Sequence, residues 1–238
     1  MALYRMADLN IDIQNEHDYT TRLCRAYRAH EEGTADLTAH ADPSEYEIDR
    51  KTLPAATEGY LEALSIYRSI AHRLLEYDGF ILHASVIERE GRAYAFCAKS
   101  GTGKTTHCRL WLDSFPDARI INGDKPLLRF VDGGLYIYGT PWCGKEFYHV
   151  NTRAPLAGLC FIERAPDNSI VRLSKTEAVT RLFPQLLMPK QEQAVTRLLE
   201  LAGRMIDTIP AFVLKCNMEK EAALVSYEAL SKNDVSNH

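Results

Sequence analysis

The sequence predicts an α/β (α+β) protein, with a larger domain around a mixed β-sheet at residues 80–238 and a small α+β module at 1–79. Three observations predict it. Past residue 80, short apolar runs alternate with helical patterns, the order that builds a sheet covered by helices. At 93–112 an apolar run, a glycine-rich loop and a helical pattern follow one another. The first 55 residues carry only short, weak signals.

In chain order, Ala2–Met6 and Asn10–Ile13 read as short strands, Tyr19–Tyr27 and Glu31–Pro43 as polar chain, and Tyr46-Glu47-Ile48 as a further strand. A helix at about 57–77 follows from apolar residues spaced by three and four (Tyr60, Leu61, Leu64, Tyr67, Ile70, Leu74), with Thr57 as its cap and Gly79 past its end. Phe80–Ile87 reads as one strand, which Glu90-Gly91 turns into Arg92–Ala98. The loop helix runs through Cys108 and Trp111, and Arg119–Asp124 is a strand ending in a carboxylate. Leu127–Val131 and Leu135–Tyr138 form a hairpin about Asp132-Gly133-Gly134. After the loop Gly139–Glu146, Leu156–Ile162 is a buried strand with Ser169–Leu173 as its neighbour. Ser174-Lys175-Thr176-Glu177 is a capping box opening a helix through Leu182. A longer helix at Gln191–Ile209, a strand at Pro210–Lys215 and a helix from Met218 capped by Asn217 complete the chain, with a frayed tail at Ser231–His238.

A chain of 238 residues suits one large domain or one with an appendage. The apolar fraction of 46% supports a substantial core. The net charge of −4, without a lysine or arginine run, weighs against a nucleic-acid partner. No apolar run approaches the roughly 18 residues that span a bilayer. Met1–Asn15 carries Arg5, Asp8 and Asp12 and lacks a signal-peptide core. The expectation is a cytoplasmic protein with no membrane partner. The six cysteines are scattered, with no C-x-x-C pair, which argues for buried thiols over a metal or disulfide framework.

Chemistry concentrates in Ala98-Lys99-Ser100-Gly101-Thr102-Gly103-Lys104-Thr105-Thr106. Between strand and helix, such a loop curls its amides into an anion nest at the positive end of the helix. Ser100, Gly101, Thr102, Gly103, Lys104, Thr105 and Thr106 are the candidate nucleotide-binding residues. Lys104 reaches the terminal phosphates, and the Thr105 hydroxyl is placed for Mg²⁺. Ala98 stands where glycine is usual; it costs roughly 1–2 kcal/mol if φ there is positive and nothing if it is negative. Asp124, ending the next apolar strand, is the second candidate metal ligand and the candidate general base. Lys145, in the Gly139–Glu146 loop, is a candidate for stabilising the transferring group. Lys145, Arg153 and His149 are candidates for gripping an anionic substrate.

His83, the core Ser-Gly-Thr-Gly-Lys-Thr-Thr and Asp124 together resemble the catalytic domain of HPr kinase/phosphorylase, and the phosphate loop is also similar to that of ATP-dependent phosphoenolpyruvate carboxykinase. More particularly, the chain resembles HPr-kinase-related proteins of bacteria, over about residues 80–230. The resemblance implies an HPr kinase/PEP-carboxykinase-like P-loop fold and an ATP-dependent, Mg²⁺-dependent kinase. Its acceptor would be a hydroxyl of a small molecule or of a peptide or protein serine. It also implies that His83 lies near Asp124 and influences its protonation, and that the chain assembles into a homo-oligomer. Two features depart from the family. Gly123-Asp124 stands where two adjacent acids are usual, so one acid does the work of two or Glu146 assists. Lys145 is the cation in place of an arginine-glycine signature. Ala98 and the single acid motivate the alternative of a nucleotide-binding regulatory or scaffold protein.

Overall fold

A computed structural model describes residues 3–30, 33–99 and 101–232. The chain opens with β1 (Leu3–Met6) and β2 (Leu9–Gln14), paired antiparallel about Ala7 and Asp8. α1 (Asp18–Leu23) occupies part of the stretch read as polar chain, and β3 (Leu37–His40) returns parallel to β2. Residues 46–48, expected as a strand, begin α2 (Tyr46–Thr52). The reason is local. Asp42 accepts from the Ser44 amide and Pro43 occupies a first-turn position, so the chain is already helical on reaching Tyr46.

α3 (Glu58–Leu74) is capped by Thr57 as expected, its hydroxyl accepting from the Tyr60 amide at 3.3 Å. Its buried residues Ile66, Ile70, Ala71 and Leu74 belong to the core that holds the first sheet against Ile81, Leu127 and Trp142 of the second. The left-handed residue ending the helix is Asp78 (φ 59°), where Gly79 was expected. Gly79 is required for another reason: a Cβ there would lie 2.6 Å from Leu74 Cγ and 2.7 Å from the Leu128 carbonyl.

The second sheet contains β4 (Gly79–Ile81), β5 (Ser85–Arg89), β6 (Arg92–Cys97), β7 (Arg119–Asn122), β8 (Leu127–Val131), β9 (Gly134–Tyr138), β10 (Arg153–Arg164), β11 (Ser169–Arg172) and β12 (Ala211–Cys216). Strands run β4-β8-β9-β10-β6-β5-β7, with β12 also on β10 and β11 outside it. β10 unites the sheet. Arg153–Pro155 pair antiparallel with β9, Leu156–Phe161 parallel with β6, and Leu159–Arg164 parallel with β12. The sheet is therefore mixed, and the α/β class holds.

Two sequence expectations change here. Phe80–Ile87 is two strands, β4 and β5, in separate parts of the sheet. The break at 82–84 takes its partners from other segments: Leu82, His83 and Ala84 amides donate to the carbonyls of Pro126, Gln185 and Asp124. Ser169–Leu173 neighbours β12, not β10, because β12 takes the edge of β10 and β11 (Ser169–Arg172) pairs antiparallel beyond it.

Side chains alternate across β6. Ala93, Ala95 and Cys97 meet α5 (Lys175–Leu182) and α6 (Glu192–Thr208), while Tyr94 and Phe96 meet α4 (Lys104–Ser114) and α7 (Glu221–Ser231). Leu198, Leu201 and Met205 of α6 are buried in the first of these layers, each stabilising by about 1.5–3 kcal/mol. The capping box at Ser174 is present. Asn217 caps the turn ahead of α7 by accepting from the Glu219 amide, so the helix begins at Glu221, not Met218. The expected frayed tail lies outside the described residues from 233 on. All six cysteines are buried and unpaired. Among the described residues, no helix is long and apolar enough to cross a membrane.

Candidate active site

The parallel strands β6, β10 and β12 bring their carboxyl ends together, and the glycine-rich loop leaves from the end of β6. Gly101 (φ 77°) and Gly103 (φ 124°) take conformations that would cost another residue about 1–2 kcal/mol. Ala98 has no positive φ, so alanine carries no penalty there. Ser100 lies outside the described residues. Gly103 is the N-cap of α4, and among the described residues no side chain caps the helix. The leading amides of α4, at Lys104, Thr105 and Thr106, are thus left for an anion. Arg164, the last residue of β10, donates Nε to the Thr102 carbonyl at 2.9 Å and a guanidinium N–H to the Gly101 carbonyl. It holds the outer edge of the loop by its oxygens.

Lys104 is buried, and its Nζ donates to the Ala98 carbonyl at 3.1 Å. The same Nζ lies 3.0 Å from His83 Nε2, which in turn lies 3.1 Å from Asp124 Oδ1. One ring nitrogen therefore faces an ammonium and a carboxylate and can serve one at a time. Asp124's other oxygen is joined to Lys125. Burial works to raise the Asp124 pKa, but the His83 hydrogen bond and the Lys125 ammonium prevail and hold it well below the usual carboxylate range. Burial lowers the Lys104 pKa, opposed by Asp124.

Asn122 delivers this carboxylate. Wholly buried, it accepts from the Asp124 and Lys125 amides at 2.9 and 2.7 Å and donates to the Thr140 carbonyl at 2.9 Å. Ser85 Oγ donates to the Gly123 carbonyl at 2.6 Å. The Gly139–Glu146 loop crosses directly over this turn. A Cβ at Gly123 would stand 2.5 Å from the Cys143 carbonyl, so no second acid fits beside Asp124. A Cβ at Gly144 would stand 3.2 Å from Asp124 Cβ. Lys145 is next in this loop and exposed to solvent. Glu146 turns to Arg109 at 2.8 Å.

Arg153 and His149 have partners elsewhere. Arg153 pairs with Asp8, donates to Tyr138 Oη at 3.3 Å and lies 4.6 Å from the Tyr136 ring centroid. His149 Nδ1 is 3.1 Å from Tyr27 Oη, with the two rings stacked at 5.6 Å, and burial lowers its pKa. Trp142 donates Nε1 to the Ala63 carbonyl and packs on Tyr67. All three sit where the first sheet and α3 meet the second.

No group of three or more His, Cys, Asp or Glu able to hold a metal occurs among the described residues. Thr105 and Asp124 offer one hydroxyl and one carboxylate. That all-oxygen set fits Mg²⁺, which keeps several waters and takes only one or two carboxylates beside phosphate oxygens.

A cavity of about 770 Å³ lies between the loop and the Thr180–Gln185 segment, walled by Ala98, Phe161 and Pro184, with the Glu163–Arg181 pair beside it. Gln185 is 8% exposed, and its Oε1 has no partner among the described residues. Its carbonyl accepts from the His83 amide at 2.9 Å, which sets the cavity next to the histidine.

The structure thus brings Lys104, His83 and Asp124 together with Lys125, which the sequence reading missed, as it missed Asn122, Arg164 and Gln185. Lys125 and Asn122 flank Asp124 in sequence, a legible signal. Arg164 and Gln185 are remote from the motif and gave none.

No protein-family model matches the chain, and no curated protein matches it. Among solved structures, that of the HPr(Ser) kinase/phosphatase from Coxiella burnetii is similar to it at 10% sequence identity and a TM-score of 0.38, over 64% of this chain and 94% of that one.

Proposed function

We propose that this protein is a kinase that transfers a phosphoryl group from ATP, with Mg²⁺, to a hydroxyl of a small molecule or of a peptide or protein serine. The observation that carries this reading is the convergence of loop lysine and strand-end carboxylate on His83, at 3.0 and 3.1 Å. Phosphoryl transfer needs phosphates cradled, charge neutralised and an acceptor oxygen in line.

In the structure the Lys104 Nζ lies against His83 Nε2 and the Ala98 carbonyl. On this reading it turns to the terminal phosphates, which join the amides of Lys104, Thr105 and Thr106. His83 Nε2 is then free to donate to Asp124 and orient its carboxylate. A carboxylate held at so low a pKa binds a cation readily and takes a proton poorly. Asp124 acts first as a cation ligand, and as a base only once it is separated from Lys125. Bound Mg²⁺, held by Asp124 and Thr105, would neutralise charge developing on the phosphates. The cavity beside Gln185 receives the acceptor.

One observation favours a second reading, a nucleotide-binding regulator: the Lys125 ammonium already satisfies the carboxylate that a kinase would offer to the metal. The deciding experiment is Mg²⁺–nucleotide turnover against a panel of hydroxyl acceptors, with Lys104→Ala and Asp124→Asn alongside. Loss of turnover in both supports the kinase. Tight nucleotide binding with no phosphorylated product supports the regulator. Unchanged turnover and affinity in both variants refutes the site.

A further inference from the structure

The turn that carries Asp124 is pinned at its backbone polar groups, and the pinning runs on through Lys125 to Pro126. Asn122 Oδ1 accepts from the Asp124 and Lys125 amides at 2.9 and 2.7 Å. The Asp124 and Pro126 carbonyls accept from the Ala84 and Leu82 amides at 3.0 and 3.3 Å, one on each side of His83. The Lys125 carbonyl accepts from Thr140 Oγ1 at 2.8 Å, and that hydroxyl accepts from Asn122 Nδ2 at 3.0 Å. Asn122 and Thr140 are both wholly buried. Pro126 has no amide to satisfy. Lysine is ordinarily a point charge on a flexible stem; this one is mounted on a backbone fixed from three other segments.

The side chain is 31% exposed, with its ammonium on one Asp124 oxygen. The other Asp124 oxygen faces His83, and His83 faces Lys104. Two ammonium groups therefore end one row of contacts, with a single carboxylate between them. Burial does most to lower the Lys104 pKa and Lys125 acts in the same direction, so the two cations share one neighbourhood. One carboxylate matches one of them, and the surplus positive charge suits an anion. Lys145, the sequence candidate for meeting the transferring group, is exposed to solvent.

We propose that Lys125 is a catalytic residue: its ammonium passes from Asp124 to the terminal phosphoryl group of a nucleotide seated on the loop and stays on it during transfer. This deepens the kinase reading above and rests on it. In the transfer, the bond from the terminal phosphorus to its bridging oxygen breaks, and the electron pair stays on the nucleoside diphosphate. The acceptor oxygen forms the new P–O bond and gives its proton to Asp124, which Lys125 has left. The ammonium makes and breaks no covalent bond. It offsets charge on the phosphoryl oxygens, the task that a positioned cation performs in phosphoryl transfer.

Calorimetric titration of the full chain, with Mg²⁺ present, compares ADP with the β,γ-imido analogue of ATP. The analogue carries the terminal phosphoryl group and does not transfer it, so no acceptor is needed. The analogue is expected to bind at least about tenfold more tightly than ADP, the scale of one hydrogen bond to a charged group. Lys125→Met keeps the length, removes the charge and should bring the analogue to the ADP value. Adding Asp124→Asn to Lys125→Met should leave the preference lost. Its return would reduce Lys125 to a counter-charge for Asp124 and overturn the proposal. Equal affinities in the wild-type chain, or a preference that survives Lys125→Met, overturn it as well. If ADP binds, Lys104→Ala weakens that binding and the analogue gains nothing, only the Lys125 proposal fails. If neither ligand binds, the phosphate-loop reading fails with it. The wild-type comparison needs no variant, so a misfolded Lys125→Met leaves the proposal open to refutation.

Discussion

Lys104 and Arg153 are both cations that the sequence offers to an anionic ligand, and the structure treats them oppositely. Lys104 lies buried against a carbonyl and a histidine nitrogen, with no carboxylate bonded to it directly among the described residues. Arg153 is matched by Asp8, a phenol and an aromatic face. His83 and His149 repeat the contrast. His83 stands between opposite charges, whereas His149 is stacked on Tyr27 at the junction of the two sheets. A charged group whose bonds are completed within the protein holds structure together. One whose bonds can be exchanged is available to a ligand. Partner chemistry, more than residue type or exposure, separates the two regions.

The strongest way to break this contrast is Lys104→Ala, expected to lower turnover by about 10²–10³-fold, the scale of one lost transition-state donor, while the melting temperature stays or rises because a buried ammonium is removed. A comparable fall in stability without loss of turnover would place Lys104 with Arg153. Asp124→Asn should reduce turnover by about 10²-fold or more and change nucleotide affinity less; steady-state kinetics beside calorimetry reads both. Next in size is Gly123→Asp, which restores a second acid where a backbone carbonyl leaves no space. It should destabilise the chain by about 1–3 kcal/mol, the usual cost of overpacking, and thermal unfolding gives the value.

Acid should take the two regions apart in order. The unfolded chain protonates His149 near the ordinary value of about 6.5, while the folded chain, with a lowered pKa, resists protonation. Stability from that histidine is therefore full above about pH 6.5 and declines as pH falls through the lowered value. Asp124 has a folded pKa below its unfolded one of about 3.9, so its contribution persists to about pH 4 and is lost only below. Hydrogen exchange at pH 5.5 should quicken in β1 and β2 before β5 and β6; the reverse order would contradict the assignment. The smallest effect is expected for Arg153→Ala: about 1 kcal/mol, given a half-exposed ion pair and one cation–π contact, or about 2–4 °C in Tm, with turnover unchanged.

Much of the fold was legible because its signals are local. Thr57, the Ser174–Glu177 box and the Asp132-Gly133 turn each act within a few residues, and each appears where its chemistry puts it. The misreadings share a different cause. Nothing between Phe80 and Ile87 marks a strand end, because Leu82, His83 and Ala84 find their partners about 40 to 100 residues away. Residues 46–48 alternate like a strand, yet the turn at Asp42-Pro43 had already committed the backbone. In the site, the loop was readable since its two glycines, one lysine and three threonines lie side by side at residues 101–106. Arg164 and Gln185 were not readable, being brought to it only by β10 and by the segment after α5.

Short-range chemistry, then, was enough to write the glycine-rich loop, the helix caps and the alternation of β6 into the chain, because each depends on neighbours within one turn or one pleat. Which cations stay available and why position 123 admits no acid were decided by folding. Each depends on a backbone or side chain arriving from elsewhere in the chain: Asp8 and the Cys143 carbonyl.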